Sequence, residues 1–458
     1  MSARSDTIFA LATPPGRSAI AVIRISGPKA HAAAAAFGAA APAAGCFRVS
    51  LLVDADGQPL DEVLLLAMSG PQSSTGEDVL EIHCHGSTAV VADILDILAG
   101  CDGFRPAEAG EFTHRMFDHD KIDLLGVEGL ADLIDSETGL QRHQAWAQMS
   151  GALRGPATSW RTSLIELAAH LETLIDFADE DLPDDIAAGL QARAAALRAE
   201  MQAALDDGRF GERVRSGVTV ALVGAVNAGK STLMNHLAGR DVAIVSDTAG
   251  TTRDIVSVTI DLDGIAVTLL DTAGIRDTDD SIEAEGVRRA RMAAQQCDAA
   301  LVLVDGTRPG WHNEITPLAN LVEGAAQVIV TKADLGIAGA GHADKGPVEV
   351  DKRACLHLGL AGPMAEASGA AVLDALRQLV IPANRAEQAS IITRVRHRHA
   401  IESAYAALEL AFSHDLGTAP ELAAEDLRHA ADSLGKMIGV IDVEDLLDSI
   451  FSSFCIGK

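Results

Sequence analysis

Short apolar runs set off by turn residues mark the first part of the chain. Ala19–Ile25, Val63–Met68 and Val79–Ile82 have strand length and are separated by turns such as Ser26-Gly27-Pro28 and Asp56-Gly57. An alanine-rich stretch at roughly 29–40 predicts a helix between two of them, so residues 1–118 read as an α/β domain. From 119 to 212 the apolar spacing changes to three and four. Ile122, Leu125, Leu130, Leu133 and Ile134 form one such series, and Leu164, Leu167, Leu171, Leu174 and Ile175 a second. Leu190, Ala194, Leu197, Met201 and Leu205 form a third, with Pro156 and Pro183 as punctuation. This segment predicts helices.

Residues 213–382 alternate strand and helix signals. Val218–Val223, Ile255–Ile260, Ile265–Leu270, Ala299–Val304 and Gln327–Val330 read as strands, and Asp263-Gly264 as a hairpin turn. The rest has the βαβ rhythm of a mostly parallel sheet. Pro382 closes that domain, and residues 390–458 return to helical spacing and end in a helix near 443–454 that Asp442 could cap. The expected architecture is multidomain α/β plus α. An N-terminal α/β domain precedes a helical bundle, and an inserted α/β domain interrupts that bundle, since insertions at exposed loops are tolerated.

A length of 458 residues suggests about three domains. With 48% apolar and only 3% aromatic residues, helices are favoured over all-β folds. A formal charge of −29 argues against a broad basic surface for nucleic acid, so phosphate contacts would come from a local patch or a partner. The six cysteines are scattered without a CxxC pair, which argues against a disulfide framework or structural zinc and fits a reducing, cytoplasmic compartment. The first residues lack a signal-peptide pattern, and no run of 18 apolar residues predicts a membrane span.

The chemistry is clearest in the inserted domain. Gly224-Ala225-Val226-Asn227-Ala228-Gly229-Lys230-Ser231 matches GxxxxGK[ST] between a strand and a helix at Ser231–Leu237. Its backbone N–H groups can wrap phosphates, Lys230 can neutralise β/γ charge, and Ser231 can ligate Mg²⁺. Asp271-Thr272-Ala273-Gly274 follows a strand as a DxxG element, with Asp271 supporting the magnesium shell and Gly274 sensing the γ-phosphate. Thr252, in a candidate switch at Asp247–Arg253, can cover Mg²⁺. Thr331-Lys332-Ala333-Asp334 resembles the NKxD guanine-reading motif, where the carboxylate accepts both N–H groups of guanine. In this order the motifs select GTP over ATP. Thr331 stands where the motif has Asn, so the structural hydrogen bond of that Asn needs a substitute. Ser-Ala-Lys, the usual third guanine element, has no clear copy in Leu356–Ser368. Ile275 follows DxxG where small GTPases carry a water-orienting Gln, so another group must do that work.

Together these motifs resemble the MnmE/TrmE family of tRNA-modification GTPases, and the resemblance covers essentially the whole chain. It extends to Asp6-Thr7-Ile8, Ala12-Thr13-Pro14-Pro15-Gly16-Arg17, Ile23-Arg24-Ile25-Ser26-Gly27, Gly76-Glu77-Asp78-Val79 and Gly110-Glu111-Phe112-Thr113. It continues through Lys121-Ile122-Asp123-Leu124, the switch Ala249-Gly250-Thr251-Thr252-Arg253-Asp254 and the terminal Phe454-Cys455-Ile456-Gly457-Lys458. The resemblance implies an N-terminal folate-binding and dimerisation domain at 1–118, helical parts at 119–212 and 383–458, and an inserted G domain at 213–382. It implies a MnmG/GidA-like flavoprotein partner, holding FAD and NADH, in a heterotetramer. The two would place an aminomethyl or carboxymethylaminomethyl group on carbon 5 of the wobble uridine of certain tRNAs, bound largely through the partner. The methylene would come from 5-formyl- or methylene-tetrahydrofolate.

By the same resemblance, G domains dimerise around K⁺ held by Asn227, Ser246, Thr248 and Thr251. The GTP set then comprises Asn227, Ala228, Gly229, Lys230, Ser231 and Thr232, then Ser246, Asp247, Thr248, Ala249, Gly250, Thr251 and Thr252. Asp271 to Gly274 and Thr331 to Asp334 complete it. Glu283 matches the catalytic glutamate, acting on the water through a second water, and Arg24, Glu81, Lys121 and Lys458 match folate positions.

Some residues also admit plainer readings. Cys455, beside Lys458, is a candidate nucleophile, though free cysteines are more often buried hydrophobes. In His83-Cys84-His85 only the two histidines share a face, too few for a metal site. Arg24, inside an apolar strand, must be paired or ligand-facing, and Glu81 could be a strand-edge charge. The competing function is a regulatory GTP switch, in ribosome assembly or stress signalling, whose N-terminal domain only dimerises.

Overall fold

The computed structural model describes residues 6–176, 184–239, 243–244, 257–271, 295–321, 324–338, 348–350, 353–359, 365–381, 390–416, 419–441, 450–451, 454 and 457. The chain forms two compact units, one of residues 1–131, 148–194 and 406–458, the other of residues 132–147 and 195–405.

The first unit is built on a six-stranded sheet. Its strands are β1 (Thr7–Leu11), β2 (Ser18–Ser26), β3 (Phe47–Val53), β4 (Pro59–Met68), β5 (Val79–Gly86) and β6 (Phe104–Pro106), in the order β3-β4-β5-β2-β1-β6. Alternation along the strands puts Ile23, Ile25, Leu52, Leu65, Leu80 and Ile82 on one face. There they bury against Ile94 and Leu98 of helix α1 (Thr88–Ala99). The alanine-rich stretch is a 3₁₀ helix, His31–Phe37, shorter than the helix expected at 29–40. Gly38, in the left-handed region at φ 66°, stops it, and Phe37 beside the small alanines plugs the core.

Helix α2 (Glu111–Asp118) was not among the expected elements; its amphipathic pattern fills only two turns. Helix α3 is Leu124–Ile134. Its Leu124 and Val127 share a small core with Phe451 and Phe454. The C-terminal helix expected near 443–454 lies largely outside the described residues.

In the second unit, helix α4 is Gly139–Met149. The long helix α5 (Arg154–Asp176) belongs to the first unit, and α6 (Asp184–Ser216) runs up to the second sheet. That sheet comprises β7 (Val218–Gly224), β8 (Ala243–Ile244), β9 (Ser257–Leu262), β10 (Ile265–Asp271), β11 (Ala299–Asp305), β12 (Ala325–Thr331), β13 (Val348–Val350) and β14 (Arg353–His357). Its order is β13-β14-β12-β11-β7-β10-β9-β8. The central strands are parallel and buried on both faces, as throughout β11, which explains their continuous apolar runs. Helix α7 (Lys230–Ala238) and α8 (Ala365–Val380) cover one face, and Trp311 and Ile315 the other. The Asp263-Gly264 turn joins β9 to β10 as expected, with both residues at positive φ (54° and 91°), the requirement of a type I′ hairpin.

Further helices are α9 (Val395–Ala411) and α10 (Pro420–Ile438), the latter packed along α5. Among the described residues no helix is long and apolar enough to cross a membrane.

Candidate nucleotide site and charged N-terminal sheet face

The phosphate loop forms where β7 ends and α7 begins. Asn227 (φ 64°) and Gly229 (φ 96°) adopt left-handed conformations, which turns successive N–H groups inward at a helix N-terminus. Gly224 is obligatory for space: a Cβ there would stand 2.4 Å from the Leu303 carbonyl. Lys230 is buried, and its Nζ donates to the Gly224 and Ala225 carbonyls at 2.8 and 3.1 Å, lying under the loop. Burial pulls its ammonium below the ordinary lysine value, with Asp271 working against that shift.

Ser231 Oγ donates to Asp271 Oδ2 at 3.2 Å. The other oxygen of Asp271, Oδ1, is buried and has no hydrogen-bond partner. A hydroxyl and a carboxylate with a spare buried oxygen form the hard-oxygen set that Mg²⁺ and its water shell satisfy. Thr232 continues α7 beside Ser231.

The end of β12 resolves the substitution at Thr331. Its side chain is fully buried, and Oγ1 lies 2.7 Å from the Ala228 carbonyl of the phosphate loop and 3.1 Å from that of Val304. Thr331 thus ties β12 to the phosphate loop, the structural bond that the motif's Asn would make. Lys332, at φ 58°, pairs with Asp305 at 2.6 Å and turns the chain into a 3₁₀ turn at Ala333–Leu335. Burial would raise the Asp305 carboxyl, but hydrogen bonds from Lys332 and Thr307 outweigh it and hold the group below the usual carboxylate range.

Asp334 then faces the loop after β14. Ala333 N–H donates to the Leu358 carbonyl at 3.0 Å, and a Cβ on Gly359 would stand 3.0–3.3 Å from atoms of the Asp334 side chain. Ser368 Oγ donates to the Gly359 carbonyl at 3.0 Å, fixing that loop. Leu358-Gly359 therefore stands against Asp334. Without Ser-Ala-Lys there, the sequence offered no motif, and only the strand pairing β12–β14 reveals it. Glu283, Ser246, Asp247, Thr248, Ala249, Gly250, Thr251, Thr252, Thr272, Ala273, Gly274, Cys455 and Lys458 lie outside the described residues.

In the first unit, Arg24 and Glu81 sit opposite each other on β2 and β5. Arg24 Nε donates to Glu81 Oε1 at 2.9 Å, its guanidinium lies 5.8 Å from the Phe112 ring centroid, and His83 Nε2 stands 3.2 Å from Glu81 Oε2. Lys121 is exposed in the turn after α2 and forms no hydrogen bond with either residue among those described. His85 pairs instead with Asp61 at 2.7 Å, and the Cys84 thiol is buried, which pushes its pKa up to about 11.

Register places Arg24, Glu81, Leu66 and Phe47 in one row, and Val22, His83, Leu64 and Val49 in the next, all on the face opposite the core. Phe47 (70%), Val49 (61%) and Leu51 (54%) are exposed along the edge strand β3.

Sequence reasoning missed the lock that holds this unit. Arg115, 2% exposed, bonds to Asp6, Glu77 and Glu111, and Arg105 joins from Asp6 to Glu111. Three of the matched motifs, at Asp6, Glu77 and Glu111, meet here. Burial would raise Glu111, but Arg105 and Arg115 hold it at about 2.

The geometry defines a P-loop GTP-binding protein fused to a charged β-sheet domain. Residues 7–121 match the family described as the GTP-binding protein TrmE N-terminus, and residues 124–455 match the MnmE helical domain. The chain is 46% identical to the tRNA modification GTPase MnmE of Phenylobacterium zucineum, over 99% of this chain and 100% of the relative. It is 44% identical to that of Paramagnetospirillum magneticum over 99% and 100%, and 45% to that of Azorhizobium caulinodans over 100% of both. The chain belongs to the MnmE family of tRNA modification GTPases.

Proposed function

We propose that this chain hydrolyses GTP with Mg²⁺ to drive modification of tRNA. With a MnmG/GidA-like flavoprotein holding FAD and NADH, it adds an aminomethyl or carboxymethylaminomethyl group at carbon 5 of the wobble uridine. A tetrahydrofolate supplies the one-carbon unit. Residues 1–118 form the folate-binding and dimerisation domain, 119–212 and 383–458 the helical domain, and 213–382 the G domain. The observation that carries the reading is the nucleotide site, complete at its described positions, in a chain similar end to end to the relatives.

Lys230 neutralises phosphate charge, Ser231 and Asp271 hold the Mg²⁺ shell, and Asp334 reads guanine. When bound, Mg²⁺ would supply positive charge to offset the charge that develops on the phosphates. Thr252 closes over the metal, and Asn227, Ser246, Thr248 and Thr251 cage K⁺ between paired G domains. Glu283 orients the attacking water.

The open sheet face supports both N-terminal roles. Its exposed apolar stripe at Phe47, Val49 and Leu51 suits a second copy, and the same face carries Arg24 and Glu81, paired cation and anion suited to a folate's glutamate and pterin. Lys121 and Lys458 add cationic contacts, and Cys455 serves the modification chemistry. The protein works in the cytoplasm. Nucleoside analysis of tRNA from a deletion strain tests the reading: the wobble modification disappears and returns with the wild-type gene. Unaltered nucleosides, or no binding of 5-formyltetrahydrofolate by the pure protein, return the regulatory switch to first place.

A further inference from the structure

The β9–β10 hairpin has both of its open ends beside Asp271, since Ser257 at the start of β9 pairs with Leu270. In sequence, β9 follows the candidate switch around Thr252, and β10 ends at Asp271. Its tip, Asp263-Gly264, lies about 20 Å away along β10, the rise of seven extended residues. Paired in register on β7 as well as β9, β10 is stiff, so a displacement at one end reaches the other.

That tip is gripped by the start of α4. Thr138 Oγ1 donates to the Gly264 carbonyl at 2.6 Å, and Leu140 packs so closely that a Cβ on Gly264 would stand 2.7 Å from its own. The same hydroxyl caps the helix, accepting from Gln141 N–H at 3.2 Å. Gln141 Oε1 reaches back to the Thr138 N–H at 3.0 Å, completing a Thr-x-x-Gln capping box. Gln141 Nε2 donates to the Arg215 carbonyl at 3.3 Å, in the last turn of α6 before β7. One hydroxyl therefore serves two masters. It closes the first turn of α4, and it holds the far end of the strand that carries Asp271.

We propose that Thr138 and Leu140 form a coupling clamp that reports the nucleotide state of the G domain to α4. The proposal rests on the reading of Gly224–Ser231 and Asp271 as the GTP site. A shift of the hairpin tip pulls on the Thr138 hydroxyl and so loosens or tightens the cap of α4, without any contact between α4 and the nucleotide. The apolar half of the clamp, Leu140 on Gly264, keeps the tip seated while the hydroxyl senses its position.

The test is hydrogen exchange of the full-length protein, with GDP alone and with GDP plus aluminium fluoride in potassium. In the wild type, amides at 139–145 exchange at different rates in the two states. Thr138→Val removes the hydroxyl at constant shape, raises exchange there about fivefold in both states, and erases the difference. Thr138→Ser restores the difference, and GTP turnover of both variants stays within about twofold of wild type. The clamp is overturned if α4 exchanges equally in the two states of the wild type, or if Thr138→Val keeps the difference while residues 224–237 are protected by nucleotide. If those residues gain no protection from either nucleotide in the wild type, the GTP-site reading itself fails.

Discussion

Thr331→Val is the sharpest probe of the guanine end, because it changes one atom. The hydroxyl is buried, 2.7 Å from the Ala228 carbonyl and 3.1 Å from that of Val304, and it has one proton to give. Valine puts a methyl where both oxygens stand at hydrogen-bond distance, so the bond is lost and phosphate loop and β12 must part by several tenths of an ångström. A lost bond with its acceptor left in an apolar setting costs about 2 kcal/mol. If the loop is equally ordered with and without nucleotide, the whole cost falls on stability, and the second unit's melting temperature drops by roughly 4–8 °C. If nucleotide binding itself orders the loop, affinity falls instead, by up to about 30-fold. Thermal melts with and without GDP, with titration of a fluorescent GDP analogue, measure the division. Thr331→Asn, which puts an amide donor at the same point, recovers most of the loss. A Thr331→Val protein that melts within a degree of wild type and binds GDP within twofold would show that this tie is not structural.

The remaining predictions address the other parts of the two sites. Gly359→Ala crowds the Asp334 carboxylate and weakens GTP binding roughly three- to tenfold, and Asp334→Asn shifts preference towards xanthosine nucleotides; equal GTP affinities in both variants place the guanine reader elsewhere. Glu111, held at about 2 against an ordinary 4.5, contributes roughly 3 kcal/mol that is fully present above pH 4.5 and is lost as pH falls towards 2. Glu111→Gln flattens that limb in pH-dependent melts of the first unit. Glu283→Ala leaves GTP affinity within twofold but slows turnover by about two orders of magnitude in a phosphate-release assay. Hydrolysis runs about tenfold faster in potassium than in sodium at equal ionic strength, and Asn227→Ala abolishes the difference; equal wild-type rates in both salts favour an arginine finger such as Arg253 or Arg276.

What could be read from the sequence follows the range of the interaction. The strand, turn and helix start around Gly224–Ser231, and the strands that lead to Asp271 and Asp334, were legible because each pattern is local, lying within a dozen residues, and backbone geometry dictates the glycines. Buried strands such as β11 were legible for the same reason, being apolar on both faces. Six short or edge strands, β1, β3, β6, β8, β13 and β14, were not. β3 is apolar at Phe47, Val49 and Leu51 on its exposed side, which inverts the usual pattern for a sheet edge. Arg115 was invisible because two of its partners, Asp6 and Glu77, belong to distant segments, and the i,i+4 pair with Glu111 on its own helix reads alone as a solvated surface pair. Thr331 shows the same limit from the other side. Its residue type looked like a lost Asn, and only the position of the Ala228 carbonyl reveals that a hydroxyl reaches as well as an amide. Gly359 carries the point furthest, since no motif marks it. It is defined by what β14 brings against Asp334, so its role depends on the packing of strands and not on its neighbours in sequence.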